Sequence, residues 1–161
     1  MDYQHLSTLL WREQELLDLL LFKAEEKQYL ILSGKTRWLA RIAHEIEVVL
    51  DQLRSLEVER AAATEVISER LGTGINPSLR KLAEAAPAPW DDLFAKHHET
   101  LLALVTDLRS LSDANRELID GGLAAIGDAF VSVRTPTAGT YGATGRTDER
   151  AHRAVTLDGA L

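Results

Sequence analysis

Apolar residues return every three or four positions through most of this chain, the period of an α-helix laid against a core. Leu6, Leu10, Leu17, Leu20, Leu21, Ala24 and Ile31 predict a first helix over about 3–33. Asp2 can cap its start, and Ser33-Gly34 supplies the left-handed residue that closes a helix. A second run is more regular. Leu39, Ile42, Ile46, Val49, Leu53, Leu56, Ala63, Ile67 and Leu71 alternate steps of three and four, interrupted only by Arg60. That is a heptad seam, predicting a helix over 36–71 with Thr36 as its N-cap and Gly72 as its C-cap. So few residues separate the two helices that they should fold back as an antiparallel hairpin, seam against seam.

Gly72 to Pro77 reads as punctuation. Asn76 as N-cap with Pro77 at the first helical position predicts a short helix over 77–86, which Pro87 and Pro89 end. Asp91 or Asp92 then caps a last helix over about 92–133. Phe94, His97, Leu101, Leu104, Leu108, Leu111, Asn115 and Leu118 carry its first seam. After Leu118 the stripe rotates to Ile119, Leu123, Ile126, Phe130 and Val133, set among Gly121, Gly122, Gly127 and several Ala. The expected fold is all-α: an antiparallel bundle of three long helices with one short linking helix. The expected organisation is a helical domain over 1–133 and a flexible tail over 134–161, since the tail has too little apolar surface to offset its ordering entropy.

Composition supports helices and narrows function. Leu and Ala supply 27 and 21 of the 161 residues, whereas aromatics are 6%. Cysteine is absent, which removes disulfides, thiolate metal sites and cysteine nucleophiles and fits a cytoplasmic protein. No signal peptide or membrane span is expected, because the longest apolar run in the amino-terminal part is Leu19–Phe22. The net charge of −7 argues against general nucleic-acid binding.

Little points to catalysis. The five histidines have no second ligand at metal-binding spacing, and His97 and His98, being adjacent, diverge by about 100° on a helix. A phosphotransfer role for one of them is the enzyme alternative; a seam-flanking or solvated His is the ordinary reading. Gly139, Gly142 and Gly145 lack the strand and helix of a phosphate-binding loop. No cofactor and no metal are expected. Asn115 inside a Leu-lined seam either fixes register or partner choice, or turns to solvent.

The stretch Leu118–Val133 is the strongest functional hint. Its three glycines each cost roughly 0.8–1 kcal/mol of helix propensity relative to Ala. Small residues admit the close approach of another backbone, and Ile119, Leu123, Ile126 and Phe130 are spaced as anchors for a partner helix. The same stripe could instead pack on the hairpin of its own chain.

One order of elements covers most of the chain: a Leu- and Glu-rich first helix (Leu9-Leu-Trp-Arg-Glu-Gln-Glu-Leu-Leu17), the turn at Ser33-Gly34, and a second coiled-coil helix ending near Val58-Glu-Arg60. A short helix then begins at Ser78-Leu79, and the last helix carries Asn115-Arg-Glu-Leu-Ile119, followed by Thr140-Tyr141-Gly142-Ala-Thr-Gly145-Arg146. In these residues the chain resembles the FlgN family of flagellar export chaperones, and Gly121-Gly122 and the long Arg-containing tail depart from the family pattern.

The resemblance implies a chaperone that binds the carboxyl-terminal helices of the hook–filament junction (hook-associated) proteins, keeps them unassembled and delivers them to the flagellar export apparatus. It places client contacts late in the last helix. Here the candidates are Asn115, Leu118, Ile119, Gly122, Leu123, Ile126, Phe130 and Val133, with Tyr141 as the candidate for docking at the export gate. No enzyme activity, nucleic acid or stable membrane insertion is expected, and the chain should be a monomer or weak homodimer. The other reading is a structural adaptor that self-associates through the same stripe.

Overall fold

The computed structural model describes the backbone of residues 2–134 and the side chains of residues 2–129. Helix α1 spans Asp2–Leu32, α2 Leu39–Leu71, α3 Leu79–Ala85 and α4 Trp90–Arg134, with a single 3₁₀ turn at Thr36–Trp38. Among the described residues there is no strand, and the fold is an all-α bundle. The chain divides after Gly121. The bundle set out below belongs to the part that ends there.

The turns follow from backbone chemistry. At the end of α1, Gly34 takes φ +68°, while its amide donates to the Ile31 carbonyl and that of Lys35 to Leu30. This is the Schellman arrangement, which satisfies carbonyls the helix leaves without partners. Gly72, at φ +67°, closes α2 differently, its own amide and that of Thr73 both donating to the Ser68 carbonyl. Expected caps differ at several helix starts, and Asp91 and Asp92 lie inside the first turn of α4, which begins at Trp90. Thr36 opens the 3₁₀ turn, so α2 begins three residues later, after Trp38 and without a side-chain cap. Asn76 is left-handed, at φ 49°, and belongs to the loop. Ser78 is the N-cap of α3, its hydroxyl accepting from the Lys81 amide. A serine accepting from the third residue on is the commoner device, and it leaves Pro77 outside the helix.

Three cross-helix ion pairs show that α1 and α2 are antiparallel. Asp2 pairs with Arg70, Glu13 with Arg60 at 3.2 Å and Lys23 with Glu45 at 2.7 Å. Helix α4 returns alongside α1, in the same direction. Trp90 stacks on Tyr3 at 5.8 Å, His97 meets Ser7 and Gln14, and Asn115 reaches Ala24.

The core is unevenly distributed. Its fully buried members, Leu6, Leu10, Ile67, Leu82 and Phe94, gather at the end that α3 closes, with Tyr3 and Trp90 packed against them. Each such side chain contributes roughly 1.5–3 kcal/mol by leaving water. Along α2 the heptad seam splits in two. Ile42, Val49, Leu56 and Ala63, seven apart, are all buried, whereas the intervening Ile46 and Leu53 are only half-buried. One row of the seam is covered by α1; the other faces a groove.

Candidate functional site

The described candidate residues differ in burial. Asn115 is buried, and its Nδ2 donates to the Ala24 carbonyl at 3.0 Å, so it holds α4 against α1. Its Oδ1 is buried without a partner. Leu118 and Ile119, on the next turn, are half-buried. From Gly121 to Ala129 every residue is exposed. Leu123 and Ile126 keep 63% and 56% of their surface in water, a large apolar exposure for neighbours on one helix face. A Cβ built at Gly121, Gly122 or Gly127 would meet nothing within 4 Å, so no crowding among the described residues calls for a glycine there. The side chains of Phe130 and Val133, and all of Tyr141, lie outside the described residues, as does the expected tail beyond Arg134.

Asn115 and Ile119 share a different feature. With α1, α2 and the middle of α4 they line an open groove of about 700 Å³. Its floor and walls include Leu20, Ile46, Leu50, Leu53, Val105 and Leu108, all half-buried. Sequence reasoning missed it. The signal was the alternate row of the α2 seam, whose apolar residues needed a partner that neither α1 nor α4 fully supplies.

The groove's lower end holds Glu13 and Glu57, and the rest is edged by Lys27, Arg54, Arg109 and Arg116. Burial raises the Glu13 pKa above the usual carboxylate value, partly offset by Arg60 and reinforced by Glu57.

His97 has a structural setting. It is 2% exposed. Gln14 Nε2 lies 2.7 Å from its Nδ1 and Ser7 Oγ 3.2 Å from its Nε2. With Gln14 donating to Nδ1, the neutral tautomer donates from Nε2 to Ser7, and both ring nitrogens are satisfied. The Trp11 ring meets the imidazole edge-on at 5.1 Å. Burial holds the His97 pKa below its ordinary value. An imidazole so enclosed presents no nitrogen to a phosphoryl donor, so the seam position of His97 is a core position. Among the described residues no group of three or more His, Cys, Asp or Glu is placed to hold a metal ion. No described helix is long and apolar enough to cross a membrane.

A family model with the description FlgN protein matches residues 1–149. No curated protein and no solved structure matches the chain.

Proposed function

This chain belongs to the FlgN family of flagellar export chaperones, and from that premise we propose that it captures the carboxyl-terminal helices of hook–filament junction proteins in the cytoplasm. It holds them unassembled and hands them to the export apparatus, where Tyr141 docks at the gate. The observation that carries the client site is the exposed apolar pair Leu123 and Ile126 on a glycine-containing stretch of α4. An amphipathic client helix buries these anchors, together with Ile119, Phe130 and Val133, and approaches closely over Gly122. The client's own assembly surface is thereby hidden until export. Binding rests on apolar area, at roughly 25 cal/mol per Å² before the cost of ordering.

The test is calorimetric titration of a junction-protein carboxyl-terminal segment into the wild type and into Leu123→Asp and Ile126→Asp. Both positions are exposed, so the variants should keep the circular dichroism of the parent. The expected result is a loss of affinity of tenfold or more. Unchanged affinity in folded variants would remove the client site from this stretch, and a stable homodimer lost on Leu123→Asp would favour the self-associating adaptor.

A further inference from the structure

We propose that the groove between α1, α2 and the middle of α4 is a second docking surface, and that its occupant is a partner's amphipathic helix with carboxylates along its edges. The proposal does not depend on the client site at Leu123 and Ile126.

The first argument is shape. Half-buried Leu20, Ile46, Leu50, Leu53, Val105 and Leu108 line an open channel, not a closed core. Glu13 to Lys27 on α1 and Val105 to Ile119 on α4 each span roughly 21 Å at 1.5 Å per residue, room for a helix of about four turns. Three helices already supply three sides, and a fourth laid between α2 and α4 would complete a four-helix bundle.

The second argument is charge. In a chain of net charge −7, this groove is edged by four basic side chains and two acidic ones. Glu13 already faces Arg60. Arg54 pairs with Asp51 on its own helix. Lys27, Arg109 and Arg116 have no carboxylate within ion-pairing distance among the described residues. Unpaired cations beside an apolar channel select a helix with acidic flanks and reject one with basic flanks. The chain's own residues 134–161 carry four basic and three acidic side chains and lack that complementarity.

The probe is a labelled synthetic helix of about 14 residues, with Leu at three- and four-residue steps and Glu on both flanks, compared with a twin carrying Lys. Fluorescence anisotropy with the full chain at low salt should show the Glu peptide binding about tenfold more tightly, a gap that closes near 1 M salt. Arg109→Glu with Arg116→Glu, both at exposed positions, should abolish or invert the preference while circular dichroism stays unchanged. Leu108→Asp should weaken both peptides. Leu123→Asp should leave the preference intact; if it removes binding, the peptide lies on the α4 stretch and the groove proposal fails while the client site stands. Equal affinities, a preference indifferent to the Arg variants, or a homodimer by sedimentation that Leu108→Asp dissolves would each overturn the proposal.

Discussion

Asn115 and Ala24, 91 residues apart, are joined by a 3.0 Å hydrogen bond from the Asn115 amide to the Ala24 carbonyl. The bond ties α4 to α1 where the apolar core has already thinned. The other half of the amide, Oδ1, is buried and unpartnered. A net hydrogen bond contributes about 1 kcal/mol, and an orphaned buried polar atom costs about 1–3 kcal/mol. Asn115→Leu should therefore be neutral or stabilising by up to about 2 kcal/mol in urea denaturation, because it removes both terms and the groove leaves room for the larger side chain. Asn115→Asp puts a carboxylate beside a carbonyl and should cost more than about 2 kcal/mol at pH 7. A Leu variant destabilised by over about 1 kcal/mol would contradict this account.

The split seam of α2 predicts that two leucines three residues apart differ in energetic weight. Leu56 is 2% exposed and sits in the core cluster, whereas Leu53 lines the groove. Leu56→Ala should cost about 2–5 kcal/mol, and Leu53→Ala no more than about 1 kcal/mol. Chemical denaturation of the two variants, read by helix signal, gives the comparison. Equal costs would mean that the groove is closed in solution.

His97 predicts a pH dependence with a definite sign. Its folded-state pKa lies below the unfolded value, so its contribution is whole above about pH 6.5 and declines as pH falls through that value toward the folded one. Ser7, Gln14 and Trp11 face the ring and carry no compensating charge. Glu13 acts the other way: its raised pKa gives stability that is present in acid and is lost as pH rises. The wild type minus His97→Gln difference isolates the imidazole. That difference should fall as pH is lowered through about 6.5. A flat profile would show that His97 is protonated as readily folded as unfolded.

Which parts of this were legible in the sequence follows from what periodicity encodes. The spacing of Ile42, Val49, Leu56 and Ala63 shows that they share a face, and the glycines at 34 and 72 show where helices must stop. Periodicity does not say how far a third helix covers that face, and so the groove along Ile46, Leu50 and Leu53 was hidden. Polar residues at seam positions were ambiguous for the same reason. His97 and Asn115 both proved buried, because their partners are Ser7, Gln14 and the Ala24 backbone, some 80–90 residues away in sequence. The expected cap at Asn76 is wrong because Ser78, two residues on, offers a hydroxyl at the correct offset from the Lys81 amide, and local preference alone does not rank the two.

The glycines of α4 give the last prediction. Neither Gly121 nor Gly122 has a positive φ, and a Cβ at either would meet open space. Their replacement by Ala should therefore strengthen the helix by about 0.8–1 kcal/mol each, from propensity alone. If the glycines serve only the fold, Gly121→Ala with Gly122→Ala raises helix content and leaves junction-protein binding unchanged or improved. If they admit a client backbone at close range, the same variant is more helical yet binds more weakly, since the added methyls occupy the space the client needs. Circular dichroism and calorimetric titration on one protein sample separate the two cases, and the expected outcome is higher helicity with an affinity loss of about tenfold or more.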